Sequence, residues 1–447
     1  MKRLHTRSIA ALLCLGAAIS VYASPPSAAV PSGFVESAGI RTKMAESCLS
    51  ADPSSVLGLK DELCMESGVH PFSFSVSQSA DRSTLEVSFS PLYASGRQGT
   101  WILERDLRSG EPLGIVVYPV PDPEVKVIIA PGAAGRTETD SISRLTLEIH
   151  GLPLVRDIPV GIPFSSVFTR PFEHIVSLTA SAVPWHLLRP VGADYRDMAS
   201  AVETLRERLP SLVYLDDGAF DHDGNPVFIA SGEPQTPADI LKALPEGSLP
   251  GALEGGVNCS GFAKWVVDGA IKPITGSNTR IDALKGETSS PKTHFTEPFR
   301  DSRDLYFGLN WTRHLASAAV SARLRRTKLP SNSGVDVTVE PFSASSGYQE
   351  AVGYKVSELM PYLYYLAASE GGHFYLGAIS RERGEPLLRQ YHHIALFFPW
   401  FDDAGAFHVA VFESAVETPP EKFVSANSDA WVHLVRVRAP QTGYFWP

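Results

Sequence analysis

The sequence predicts an α+β protein in two parts, and three observations carry that reading. Between about 67 and 175, apolar residues alternate with polar ones at period two, the pattern of half-buried strands. After Cys259 the spacing becomes helical: Phe262, Trp265, Val266 and Ala270 fall on one face at i, i+3, i+4 and i+8. The last hundred residues return to strand-like runs. The N-terminal part therefore reads as an antiparallel β-sandwich. The C-terminal part reads as a helix opened by Cys259 and packed on an antiparallel sheet.

Composition sets the outer bounds. With 447 residues, 44% hydrophobic and 20% charged, the chain is globular in composition and long enough for two or three domains. A formal net charge of -10 argues against a nucleic-acid-binding surface. Residues 1–23 have the layout of an export signal: Lys2, Arg3 and Arg7, then an apolar stretch from Ile9 to Val21, then Val21-Tyr22-Ala23 as a small-residue cleavage site. A lipid anchor on Cys14 would need a small residue before it, and Leu13 stands there. No other run is long enough to span a bilayer, so an exported protein of the periplasm or cell envelope is expected. Cys48 and Cys64 close a short loop that could be bridged in such a compartment, which would leave Cys259 as the odd thiol.

Residues 24–66 begin as a Pro/Ser/Ala-rich tether and continue into a short Cys-containing segment. The sandwich of residues 67–175 follows. Its strands are signalled by Phe72/Phe74/Val76, Leu85/Val87/Phe89, Trp101–Leu103, Ile115–Tyr118, Val125–Ile129 and Leu145/Leu147/Ile149, and its role is either adhesive or positioning, or purely structural. The second domain spans 176–447. In it Met198, Val202, Leu205 and Leu209 predict a helix stopped by Pro210. Asp221-His222-Asp223-Gly224-Asn225 fails as a calcium loop because Gly232 occupies its twelfth position, so a turn is expected there. Residues of about 272–345 read as a polar insertion, either a lid or substrate-groove wall or a solvated loop with one helix. A helix around 349–368 should be broken or kinked by Pro361. Strands are predicted at 374–379, 393–398, 407–412 and 431–437.

The chemistry gathers around Cys259. A thiol on the first turn of a helix faces unpaired backbone N–H groups and the positive end of the helix dipole, and both favour thiolate. A nucleophilic Cys also needs a base, and the base needs a group to orient it. His392 and His393 open one apolar strand, and strand alternation puts His393 on the face of Ala395 and Phe397 with His392 opposite. His408 and Glu413 lie on the next strand and point to opposite faces. A zinc site of Cys259, His393 and His408 lacks short ligand spacing, so no metal and no cofactor is expected.

Asn258-Cys259-Ser260-Gly261-Phe262 resembles the Asp-Cys-Ser-Gly-Leu/Phe start of the catalytic helix in NlpC-type, papain-like cell-wall cysteine peptidases. His393-Ile394-Ala395-Leu396 resembles that family's His-Val-Gly-Ile strand. Val411-Phe412-Glu413-Ser414-Ala415 resembles its third catalytic strand, with Glu as in the YiiX-like branch. The resemblance covers roughly 240–440 and implies Cys259 as nucleophile, His393 as base and Glu413 as the orienting residue, with His408 competing for that last place. Asn258 for Asp, Ala395 for Gly, the long insertion and the lack of an aromatic shortly before the Cys depart from the family pattern. The implied function is hydrolysis of amide bonds in peptidoglycan stem or cross-link peptides. The alternatives are a thiol amidase or acyltransferase on lipid or other amides, and a catalytically silent cell-wall binding protein.

Overall fold

The computed structural model describes residues 29–36, 38–65, 70–132, 142–244, 253–288, 296–326 and 334–447. Residues 1–23, read as an export signal, and Cys14 within them lie outside the described residues. Eight strands run in chain order from the N-terminal side: β1 (Glu62–Cys64), β2 (Phe72–Gln78), β3 (Thr84–Pro91), β4 (Trp101–Asp106), β5 (Pro112–Val117), β6 (Val125–Ala130), β7 (Ile142–Ile149) and β8 (Leu152–Pro163). Each pairs antiparallel with its sequence neighbours, so they build one eight-stranded sheet and not the two stacked sheets of the expected sandwich. The alternation is present in these strands, but period two says only that one face is buried, not what buries it. Here helices do so. Phe168 of α3 (Phe164–Thr169) meets Phe89, and Phe172 of α4 (Phe172–Thr179) meets Trp101 edge-on.

The stretch expected to be a tether joins this packing from residue 29 onward. It holds α1 (Ala38–Ala45) and α2 (Pro53–Leu57). Arg41 of α1 is buried over the Trp101 ring, 3.6 Å from its centroid, and donates to the carbonyls of Phe168 and Arg170 at 2.9 Å. Cys48 and Cys64 are free thiols.

The second part begins with α5 (Arg196–Arg208), which ends before Pro210 as its sequence requires. Short pieces follow: β9 (Leu212–Tyr214), β10 (Gly218–Phe220), β11 (Pro226–Phe228), α6 (Pro237–Ala243) and β12 (Gly255–Val257). β10 and β11 form a hairpin through the turn predicted at Asp223–Pro226. Next come α7 (Cys259–Thr275), α8 (Ile281–Leu284), α9 (Arg300–Arg303) and α10 (Phe307–Arg323). β13 (Tyr354–Lys355), α11 (Leu359–Ser369), β14 (His373–Arg383), β15 (Leu388–Phe401), β16 (Phe407–Glu413), β17 (Val416–Thr418), α12 (Pro420–Ala426) and β18 (Trp431–Arg438) complete the chain. Their strands make a six-stranded antiparallel sheet in the order β13-β18-β14-β15-β16-β17. The protein is α+β.

Two expectations for this part need correction. The segment read as an insertion contains α10, which is neither lid nor solvated loop: Trp311, Leu315 and Ala316 are fully buried in the core shared with α7 and the sheet, and Leu309 is buried with Ala378 and Tyr391 of the sheet. Arg313 of α10 donates to both carboxylate oxygens of Asp336, at 2.7 and 3.1 Å, which ties the helix to the sheet edge. Pro361 does not break a helix at 349–368, because α11 begins only at Leu359. A proline in the first turn removes an N–H that has no intrahelical acceptor.

The two sheets share one buried core. His150, on the tight turn between β7 and β8, lies against Tyr364 of α11 and Phe407 of β16, with ring centroids 6.1 and 5.8 Å away. β16 is therefore held at its first residue by the N-terminal sheet and ends at Glu413.

Candidate active site

The site is built around the start of α7. Asn258 sits before the helix in extended conformation, and its side chain accepts from the N–H of Gly261 at 2.8 Å, the usual work of an N-cap. The N–H of Phe262 goes to the Asn258 carbonyl. The N–H groups of Cys259 and Ser260 have no partner among the described residues, so two donors remain at the helix start beside the thiol. Gly261 is required by close approach: a Cβ there would fall 2.0 Å from the Gly218 carbonyl oxygen. The buried indole of Trp311 donates to the Ser260 carbonyl at 2.9 Å. The first turn is thus clamped from the β10 side and from α10.

The predicted face of α7 is buried, but so is the rest of its first three turns. Every residue from Ser260 to Ile271 is buried, and Lys264 with Asp268 forms an internal ion pair at 2.5 Å. Asp268 further accepts from the backbone and hydroxyl of Thr279 at 2.8 and 2.7 Å.

β15 and β16 deliver the other two groups. His393 Nε2 is 2.7 Å from Glu413 Oε2, and neither residue is much exposed. With Nε2–H committed to the carboxylate, Nδ1 is the nitrogen left for the thiol. Burial raises the Cys259 thiol, but hydrogen bonding and charge from His393, with the Ile394 N–H and Ser260, outweigh it and leave the thiol below its ordinary value. Burial likewise lowers His393, yet Cys259 and Glu413 carry it up to about 9. Glu413 is held below the usual carboxylate range despite burial, by His393 and by the Thr418 hydroxyl. Such a trio favours a thiolate–imidazolium pair over thiol and neutral imidazole near pH 7.

Cys259, His393 and Glu413 are brought together; His408 is not. His408 lies at the far end of β16, 3.0 Å from Asp402 and stacked on Trp400. Among the described residues, Cys259, His393 and His408 do not converge as metal ligands. His392 departs from the strict alternation expected of it. Tyr391 opposes Ser380 and His393 opposes Ile379, so His392 is the extra residue of a β-bulge.

Tyr214 was missed at the sequence level. β9 pairs parallel with β12, placing Tyr214 opposite Val257, two residues before the nucleophile candidate. Its hydroxyl pKa is raised by burial, by Asp216 and by negative charge on Cys259. β9 thus brings an aromatic residue beside the start of α7. The only available signal was the apolar run Leu212-Val213-Tyr214.

Residues 30–187 match the family model described as a domain of unknown function, DUF8515. That stretch contains α1 to α4 and the whole eight-stranded sheet, so its limits coincide with the N-terminal unit of the fold and exclude α7 and the six-stranded sheet. Searches of curated proteins and of solved structures gave no match.

Proposed function

We propose that the protein is a thiol hydrolase of amide bonds, related to the NlpC-type papain-like peptidases and working by a Cys-His-Glu mechanism. The observation that carries the reading is the 2.7 Å His393–Glu413 pair, set where His393 lowers the Cys259 thiol at the start of α7. The Cys259 thiolate attacks the amide carbonyl, and the N–H groups of Cys259 and Ser260, without a partner among the described residues, are donors for the oxyanion. His393 then gives its Nδ1 proton to the leaving amine, which departs and leaves a thioester on Cys259. His393, now neutral, takes a proton from water. The resulting hydroxide attacks the thioester, the C–S bond breaks, and acid and thiolate are released. Glu413 holds the ring and stabilises the imidazolium throughout.

Peptidoglycan stem or cross-link peptides are the proposed substrates and the periplasm or cell envelope the proposed compartment. The resemblance around Cys259 and the export-type N-terminus support both. The experiment is incubation of purified muropeptides with the wild-type protein and with Cys259→Ala, followed by chromatography and mass spectrometry. New peptide termini with wild type alone are expected. Equal cleavage by both would remove Cys259 from the mechanism, and cleavage by neither would remove the substrate.

A further inference from the structure

The polar groups that α10 buries converge on one histidine away from Cys259. His433 of β18 is fully buried, and Val435, two residues on and on the same strand face, belongs to the core that α10 shares with α7. The ring Nε2 lies 3.4 Å from Asp336 Oδ2 and 3.4 Å from a terminal nitrogen of Arg313. Its Nδ1 is buried without a hydrogen-bond partner among the described residues. The remaining neighbours bring no formal charge to the ring. β14 places Ala378 directly opposite, and the Gly353 backbone packs so close that a Cβ there would fall 2.6 Å from the His433 Cα. Tyr348 stands 6.4 Å away, ring to ring, with its hydroxyl held above the ordinary value by burial.

This pocket suits a neutral imidazole and not a cation. In the neutral ring Nε2 either accepts from Arg313 or donates to Asp336. A second proton puts an N–H on both nitrogens, so Nδ1–H becomes a buried donor with no acceptor, and positive charge arises 3.4 Å from a guanidinium. Asp336 opposes this only in part, because both its oxygens already accept from Arg313. Burial, joined by the charge of Arg313, therefore holds the imidazole below its ordinary value in spite of Asp336.

The same cluster seats α10. Arg313 also donates to the Thr288 hydroxyl at 3.3 Å, and that hydroxyl and the Thr288 N–H both go to Asn310, one turn earlier on the helix. On either side of Asp336, Val335 accepts from the Arg436 N–H of β18, and the Val337 N–H donates to Leu434. Trp311, two residues before Arg313, holds the Ser260 carbonyl in the first turn of α7.

We propose that Arg313, Asp336 and His433 form an acid-sensitive latch, which seats α10, and with it the first turn of α7, only while His433 is neutral. Once the latch opens, His433 meets water and takes up a proton near its ordinary 6.5, which the closed ring refuses. The closed state is at full strength above that pH and weakens as pH falls below it. The proposal does not depend on Cys259 being a nucleophile.

The test is hydrogen–deuterium exchange of the full chain at pH 7, 6 and 5, read by mass spectrometry and corrected for the intrinsic pH dependence of exchange. His373 and His392 are also held below their ordinary values, so overall acid stability does not isolate His433. Peptides of α10 are therefore compared with those of β4, in wild type, His433→Gln and His433→Asn. In wild type, opening of α10 should rise by about tenfold between pH 7 and pH 5, within the limit of about 30-fold for a group of ordinary value about 6.5. β4 should change by less than about twofold, and the α10 response should shrink to about twofold in the variants, whatever their stability at pH 7. The wild-type comparison stands even if neither variant folds. No acid response in α10, or an equal one in β4, would overturn the latch. A full response in a folded His433 variant would remove His433 from it.

Discussion

Replacing Glu413 by Gln removes one charge from the candidate site while keeping an oxygen that can accept from His393 Nε2. The carboxylate oxygen is 2.7 Å from that nitrogen, and the side chains are 25% and 21% exposed. Opposite unit charges about 4 Å apart attract by about 4 kcal/mol at an effective dielectric of about 20, and water reaching this pair reduces that to about 1–2 kcal/mol. This corresponds to about one pKa unit or slightly more on His393. The sign follows from His393 being raised to about 9. In wild type the imidazolium is complete below the ordinary value of 6.5 and disappears as pH rises through about 9. The Cys259 thiolate it supports is therefore present through neutral pH.

In Glu413→Gln the imidazolium should be lost earlier on the alkaline side, and the thiolate should need a higher pH to form. Iodoacetamide labelling of Cys259 at pH 7 should slow by about tenfold and recover toward wild type above about pH 9, with the fold unchanged by circular dichroism. The other thiols among the described residues do not confuse the readout, since burial pushes Cys48 up to about 11 and also raises Cys64. An identical pH–rate profile in wild type and Glu413→Gln would refute the electrostatic coupling and with it the role assigned to Glu413.

His393→Ala should raise the Cys259 thiol above its ordinary value, since burial is then unopposed by the ring, and labelling at pH 7 should fall by about 100-fold. His408→Ala, whose partner is Asp402, should leave the Cys259 pH–rate profile unchanged. Asn258→Ala should cost about 1 kcal/mol in urea unfolding through loss of the cap on Gly261, whereas Asn258→Asp keeps an accepting oxygen and should cost less. Lys264→Met should destabilise by about 3–5 kcal/mol because Asp268 would stay buried without its cation, and thermal unfolding would show it.

Much of the secondary structure is written locally. Period-two runs became β2 to β7, helical spacing became α5 and α7, and the C-terminal apolar runs became β14, β15, β16 and β18, because each pattern reports which faces of its own segment are dry. What covers those faces is set by distant residues. A single sheet capped by α3 and α4 gives the same alternation as a sandwich, and α10 gave a weak signal because its buried surface includes Asn310, Thr312, Arg313 and Ser317. Buried polar groups that meet partners from elsewhere, such as Arg313 with Asp336, look in sequence like solvated ones.

The third residue of the site shows where local reading ends. Alternation on β16 correctly separates His408 from Glu413, but it cannot say which of the two faces meets His393. That depends on the stagger between β15 and β16, where Leu396 opposes Phe412 and Trp400 opposes His408. Glu413 is thereby opposite Ala395, two residues from His393 on the same strand face, while His408 lies several residues down the sheet. A slip of one residue would turn Glu413 to the other face and bring Phe412 toward the imidazole. Apolar partners resist that slip: Phe398 and Phe412 pack edge to face at 5.6 Å, and Phe407 is held by His150 and Tyr364 at the opposite end of the strand. The charge on His393 is therefore set by an ordinary hydrophobic register, part of it supplied by the N-terminal sheet some 240 residues earlier in the chain (His150 to His393).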